Sequence, residues 1–172
     1  MAAPKIGIIM GSASDIPIVE KGISVLDELG IAYETAVSSA HRTPEDTANY
    51  AKNAKKRGIE VIIAVAGLSA ALPGVVAAAT TLPVIGVPVK GGALDGLDAL
   101  LSIAQMPPGV PVGSVGLNGA KNACLLAARM VAVHDDALSM KLETWMKSEA
   151  EKVISGRSKL DGLHPAPKEA YV

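Results

Sequence analysis

Continuous apolar runs alternate along the chain with stretches in which apolar residues recur every third or fourth position. Runs of about four to eight apolar residues are typical of strands buried on both faces of a sheet, and the longer period is typical of helices. The pattern predicts strands over 5–12, 31–39, 60–67, 82–89 and 111–117. It predicts helices over 14–30, 43–58, 68–81, 94–106, 120–134 and 136–156.

The regular alternation of strands and helices predicts the fold class. Successive β–α units indicate a parallel sheet with helices on both faces. We therefore expect an α/β protein, a flavodoxin-like three-layer α/β/α sandwich with a five-stranded parallel sheet. No linker or internal repeat divides the chain. One domain is expected over 1–156, including the last helix, followed by a polar tail over 157–172.

The ends of the first helix carry recognisable signals. Ser14 or Asp15 is expected to cap its start, Pro17 lies in its first turn, and Gly30 is expected to end it. Proline is tolerated in the first turn because the N–H groups of that turn have no acceptor within the helix, so the N–H that proline lacks is not needed. These signals predict a helix with well-defined bounds.

Residues 61–89 contain no charged side chain, so a membrane span has to be considered. Pro73, Pro83 and Pro88 interrupt the segment, and a spanning helix does not tolerate so many breaks. We predict a strand, a short helix and a strand, all buried, and no membrane association. A helix that is apolar all round must be covered on every side, which favours an oligomer with this segment in an interface.

Composition narrows the functional classes. The formal net charge of −1 provides no basic field for binding nucleic acid or an anionic membrane. The single cysteine, Cys124, excludes an intramolecular disulfide framework and suits a reducing compartment. The N-terminus does not resemble a secretory signal, so we expect a cytoplasmic protein.

The loops that follow the predicted strands hold the candidate chemistry, because ligands of such sheets bind beyond the carboxyl ends of the strands. Gly11, Ser12, Ser14 and Asp15 follow the first strand. Hydroxyls and backbone N–H groups at a helix start attract phosphate. The alternative is a tight turn with an ordinary cap. Neither the nucleotide-binding P-loop nor the dinucleotide-binding glycine spacing is present.

His41 and Arg42 follow the second strand, and a helix start needs neither of them. Arginine can bind a phosphate or carboxylate through two parallel hydrogen bonds, and histidine is the side chain suited to proton transfer near neutrality. The alternatives are a hydrogen-bonded structural histidine and a surface ion pair of Arg42 with Glu45 or Asp46. Together these loops predict acid–base chemistry on a phosphorylated small molecule.

Several segments then resemble the PurE family of purine biosynthesis: "GIIMGSASD", "SSAHRTPE", "LPVIGVPV", "LDGLDALLSIAQMPPGVPVGSV" and "AKNACLLAAR". The resemblance spans about residues 6–130. It implies a flavodoxin-like subunit, usually in a homo-octamer, that uses no metal and no cofactor. It also implies conversion of N5-carboxyaminoimidazole ribonucleotide (N5-CAIR) to 4-carboxy-5-aminoimidazole ribonucleotide (CAIR).

The resemblance also implies roles for single residues. His41 matches the general acid–base of the family, and Asp15 is expected to hold ribose hydroxyls. Arg42 and the first loop are expected to hold the 5′-phosphate. The loop with Gln105 and Met106 is expected to cover a site, either in the same subunit or in a neighbouring one. The implied substrate-binding residues are Gly11, Ser12, Ser14, Asp15, Ser39, Arg42, Ala66, Gly67, Leu68, Ser69, Gln105 and Met106, of which 66–69 shape a pocket for CO2.

One loop departs from the mutase pattern. Ala71 stands where typical mutases of the family have histidine, and Ser69 precedes it, which brings the loop nearer to the AIR carboxylases. Those enzymes make CAIR directly from aminoimidazole ribonucleotide (AIR) and CO2. We expect a mutase, with the carboxylase as the alternative. A non-catalytic receiver or binding module of the same fold is a more distant alternative, since the third strand ends in "AVAG" without an acceptor aspartate.

Overall fold

The structure, a computed structural model, describes residues 3–160 and 162–171. Five parallel strands form one sheet in the order β2–β1–β3–β4–β5. They are β1 (Ile6–Met10), β2 (Tyr33–Val37), β3 (Val61–Gly67), β4 (Val84–Val89) and β5 (Gly113–Ser114). The predicted fold, a flavodoxin-like sandwich with a five-stranded parallel sheet, is confirmed.

Helices cover both faces of the sheet. They are α1 (Ile16–Leu29), α2 (Pro44–Ala54), α3 (Leu72–Ala78), α4 (Leu97–Ala104), α5 (Ala120–Ala132) and α6 (Asp136–Gly156). One apolar core lies between the sheet and α1, α5 and α6, and the other lies between the sheet and α2, α3 and α4. Within the described residues, no helix has both the length and the apolar character needed to cross a bilayer.

Side chains of the central strands alternate between these two cores. Ile8 of β1 and Ile63 of β3 pack toward α1 and α5, whereas Ile9 and Ile62 pack toward α2 and α3. Because both faces are covered, β1, β3 and β4 are apolar throughout, as the sequence predicted. β2 lies at an edge and is only half-buried.

Several predicted boundaries are wrong. A 3-10 helix over Ala13–Asp15, capped by the side chain of Ser12, precedes α1. Asp15 is the N-cap residue of α1, as predicted, but its side chain makes no capping hydrogen bond. α3 begins at Leu72, because residues 68–71 form a turn. α4 begins only after Gly96, whose φ of 93° ends the preceding turn. The expected end of α1 at Gly30 is confirmed, with φ 71°.

The described residues after α6 include two short 3-10 helices, Arg157–Leu160 and Lys168–Tyr171. The Arg157 guanidinium stacks on the Tyr171 ring, 3.7 Å from its centroid. This contact folds the end of the chain back toward the end of α6.

Candidate active site

A cleft of about 620 Å³ lies beyond the carboxyl ends of the first four strands. The chain leaves β1 toward β2 on one side, and β3 lies on the other side of β1. This reversal of strand order opens a crevice between the loops, which is where open α/β sheets bind ligands.

The cleft gathers the predicted residues of the first three loops. From the predicted set it is lined by Gly11, Ser12, Ser14, Asp15, Ser39, His41, Arg42, Ala66, Gly67, Leu68 and Ser69. Further lining residues, not included in the predicted set, are Ala40, Ala70, Ala71, Leu72, Val89, Lys90 and Gly91.

The first loop is shaped by hydrogen bonds around Ser12. The Ser12 hydroxyl accepts from the backbone N–H of Ser14 at 3.2 Å and lies 2.9 Å from the Ser14 hydroxyl. The Gly11 N–H donates to the Val65 carbonyl at 3.1 Å, which ties the loop to β3. The two serine hydroxyls are thereby held at the cleft wall, at the start of α1.

Asp15 is the carboxylate at the bottom of this loop and is only 7% exposed. Burial is the largest influence and raises the pKa of the Asp15 carboxyl, while hydrogen bonds from the Ser12–Ser14 turn act in the opposite direction. The Ser14 hydroxyl is 3.5 Å from the nearer carboxylate oxygen. A buried acceptor with weak local partners is suited to bind hydroxyl groups of a ligand.

The second loop is held by a network of hydroxyl groups that the sequence did not reveal. The Ser38 hydroxyl lies 2.8 Å from the Thr47 hydroxyl and 3.0 Å from that of Thr43. The Thr43 hydroxyl also accepts from the Ser39 N–H at 2.9 Å. Ser38 and Thr47 are buried. This network fixes the turn that carries residues 40–42 at the mouth of the cleft.

Arg42 connects the second loop to the first. Its guanidinium donates to the Gly11 carbonyl at 3.5 Å and to the Ser39 hydroxyl at 3.4 Å. Both contacts are long, and the side chain is exposed, so most of its donors can serve a ligand. His41, the neighbouring residue, is exposed and lines the same cleft as Ser12 and Ser14. An imidazole and a guanidinium therefore line the same cleft as the serine loop.

The third loop forms a small, mostly apolar wall. Leu68 has a φ of 55° and is 58% exposed, a conformation that side chains other than glycine seldom adopt. The Ala71 N–H donates to the Ser69 carbonyl at 2.7 Å and closes the turn. Strained backbone of this kind is concentrated at ligand sites.

The fourth loop, which follows β4, brings Lys90 to the cleft, and the predicted site lacked this residue. The Lys90 ammonium lies 3.0 Å from an Asp95 carboxylate oxygen. The sequence did contain a signal for Lys90, because a charged residue directly follows an apolar strand there. The rule that ligands bind at strand carboxyl ends could have found it.

Gln105 and Met106 do not line this cleft. Met106 follows α4 and packs on Gly74 of α3, where an added Cβ would lie 3.2 Å from its sulfur. The predicted role of this segment in a neighbouring subunit's site stays a prediction.

Comparisons with known proteins agree on one family. Residues 5–152 match the model of the AIR carboxylase family. The N5-carboxyaminoimidazole ribonucleotide mutase of Pyrococcus horikoshii is 51% identical over 160 residues, which cover 93% of this chain and 90% of that protein. The phosphoribosylaminoimidazole carboxylase of Saccharomyces cerevisiae is 50% identical over 161 residues, which cover 94% of this chain but 28% of that longer protein.

A solved structure matches the whole sandwich. The crystal structure of Treponema denticola PurE has a TM-score of 0.82 and 34% sequence identity, and the match covers 91% of this chain and 98% of that chain. The region matched by the family model contains all four loops that form the cleft.

Proposed function

Because this chain belongs to the AIR carboxylase family, to which PurE belongs, we propose that it converts N5-CAIR to CAIR in purine biosynthesis. The observation that carries the proposal is the convergence of His41, Arg42 and the serine loop on one cleft. Relatives named as mutases are about half identical to the chain over most of its length.

The roles of the site residues follow from their positions and chemistry. Arg42 and the hydroxyls of Ser12 and Ser14 bind the 5′-phosphate, since this end of the cleft combines a guanidinium with a helix start. Asp15 accepts hydrogen bonds from ribose hydroxyls. The third loop then lies at the imidazole end of the nucleotide.

The chemistry needs one proton carrier. When the N5–carboxylate bond breaks, the electron pair returns to N5, which takes a proton from His41, and CO2 is released into the cleft. C4 attacks the CO2, and its own proton passes to His41, so the imidazole ends in the state in which it began. The small apolar third loop keeps CO2 beside C4. This confinement matters because a CO2 molecule that left the cleft would have to be recaptured in a bimolecular step.

The alternative is an AIR carboxylase, favoured by Ala71 where typical mutases have histidine. A parallel assay of the purified protein with N5-CAIR and with AIR plus bicarbonate distinguishes the two. We expect CAIR to form efficiently from N5-CAIR. Efficient formation from AIR and bicarbonate alone would favour the carboxylase, and no CAIR from either source would contradict both assignments.

The proposal extends to assembly and location. Leu94, Leu97 and Leu101, in and just before α4, are 60%, 51% and 44% exposed in the single chain. Ala78 of the all-apolar helix α3 is also exposed. Such surfaces favour a homo-oligomer, which we propose is an octamer. The negative net charge and the buried thiol of Cys124 agree with a cytoplasmic enzyme acting on a free ribonucleotide rather than on nucleic acid.

A further inference from the structure

The described residues lining the cleft include two long cationic side chains, Arg42 and Lys90, which approach it from different strands. Arg42 follows β2 and Lys90 follows β4. The order β2–β1–β3–β4 places these strands three spacings apart, about 14 Å at the usual separation of neighbouring strands. The cleft therefore has a positive group at each end.

Lys90 lies beside the apolar third loop. Val89, which precedes it, is paired with Gly67 at the end of β3. Nearby, an added Cβ on Gly92 would lie 2.6 Å from the end of the Leu68 side chain. Residues 66–72 carry no charge of their own. The Lys90 ammonium thus supplies positive charge at the end of the cleft opposite Arg42.

The backbone of Lys90 is fixed by Asn118. The Lys90 N–H donates to the Asn118 side-chain oxygen at 2.9 Å, and the Asn118 N–H donates to the Pro88 carbonyl at 2.8 Å. Asn118 adopts a φ of 55°, which asparagine tolerates better than most residues. This two-point contact holds the end of β4 at the cleft independently of the Lys90 side chain.

The Lys90 side chain itself is available to a ligand. Its ion pair with Asp95 lies at the surface, with the two side chains 55% and 74% exposed. Exposed pairs of this kind are weak, and an ammonium has three donors. A ligand carboxylate can therefore share or replace Asp95.

Resting on the proposed function, we infer that Lys90 binds the carboxylate of the substrate and product and so distinguishes them from AIR. CAIR and N5-CAIR each carry a carboxylate that AIR lacks, whereas all three carry the 5′-phosphate. Arg42 would then bind what the ligands share, and Lys90 would bind the group that differs.

Calorimetric titration of the full-length protein with AIR and with CAIR tests this inference. Lys90→Met should weaken CAIR binding about 5- to 20-fold, as expected for a charged hydrogen bond at a partly exposed site. AIR binding should change less than about twofold. Lys90→Arg, which keeps the positive charge, should retain much of the wild-type CAIR affinity. Asp95→Asn should tighten CAIR binding, because it frees the ammonium and removes a nearby negative charge.

Two matched variants serve as controls. Arg42→Ala should weaken both ligands to a similar degree, and Lys56→Met should weaken neither. Lys56 is exposed just after α2, at the end of the domain away from the cleft. The inference is overturned if Lys90→Met leaves CAIR affinity unchanged or weakens AIR and CAIR equally. A wild-type protein that bound neither ligand and did not convert N5-CAIR would contradict the proposed function as well.

Discussion

The carboxyl group of Asp15 is buried, and burial disfavours its charged form. Burial raises the pKa of this carboxyl above its ordinary value of 3.8, so the folded protein binds the proton more tightly than the unfolded chain. The stabilisation that results from this difference is fully present below pH 3.8. It is lost as the pH rises through the pKa of Asp15 in the folded protein. At neutral pH the charged carboxylate therefore lowers the stability of the free enzyme.

Asp15→Asn should consequently raise the melting temperature of the ligand-free protein at pH 7, and the gain should shrink as the pH falls toward 4. The same change should weaken nucleotide binding, since the amide is a poorer acceptor for ribose hydroxyls. Thermal unfolding across this pH range measures the first effect and titration with AIR the second. Glu20→Gln removes an equal charge from an exposed site on α1 and should change neither. A destabilised Asp15→Asn variant at pH 7 would contradict the argument.

Arg42 makes only long contacts within the protein, so its loss should affect ligands more than the fold. We expect Arg42→Ala to reduce the binding free energy of AIR by about 1.5–3 kcal/mol, as for a lost charged hydrogen bond. Arg42→Lys should retain only part of this binding free energy, because an ammonium cannot donate two parallel hydrogen bonds as a guanidinium does. Unchanged affinity with an intact fold would show that the phosphate is held elsewhere.

The sequence drew attention to residues whose type was unusual for their place, and it gave no sign of contacts whose partners come from distant positions. His41 and Arg42 stood out because a helix start does not require them. The contact of Thr47 with Ser38 was not predictable, since an ordinary helical threonine gives no sign that it faces a buried serine. Lys90 was missed although it directly follows the fourth predicted strand, where the rule for ligand sites at strand carboxyl ends applies.

At the level of elements, α1 and α5 pack closely against each other. Gly22 of α1 faces α5 at a point where an added Cβ would lie 2.8 Å from the Ala120 carbonyl oxygen and 2.7 Å from the Cys124 sulfur. One of these atoms belongs to the backbone, so a side chain at position 22 would force the two helices apart. The absence of a side chain at Gly22 therefore sets the packing of this layer.

Gly22→Ala should lower the free energy of unfolding by about 1–3 kcal/mol, the usual range for overpacking, despite the better helix propensity of alanine. Denaturant unfolding gives the value directly. Gly156→Ala, at the end of α6 where an added Cβ meets nothing within 4 Å, is the matched control and should be neutral or slightly stabilising. Equal stabilities of the two variants would contradict the close packing.

The order of elements could be predicted because continuous apolar runs and periodic runs alternate cleanly along the chain. Their lengths could not, because local backbone geometry overrides the apolar pattern. Residues 68–71 are as apolar as α3, yet the positive φ of Leu68 turns them toward the cleft. β5 was predicted over 111–117, but only Gly113 and Ser114 pair with β4. A turning backbone and a short edge strand leave little trace in composition.

For the whole molecule, the apolar surface of α4 and the partly covered α3 predict a large assembly. Equilibrium sedimentation should give a mass of about 140 kDa, eight times the chain mass of 17.5 kDa. Leu101→Glu should reduce that mass while the far-ultraviolet circular dichroism stays unchanged, because this side chain is 44% exposed in the single chain. A wild-type monomer that is fully active would contradict the proposed assembly.

The central claim concerns the proton that His41 carries between N5 and C4 of the bound nucleotide. The most direct measurement is the rate of CAIR formation from N5-CAIR by His41→Asn, together with its affinity for CAIR. We predict a loss of at least about 100-fold in rate, the lower range for a general acid–base, with affinity within about threefold of wild type. A variant that binds CAIR normally and turns over at the wild-type rate would contradict the account.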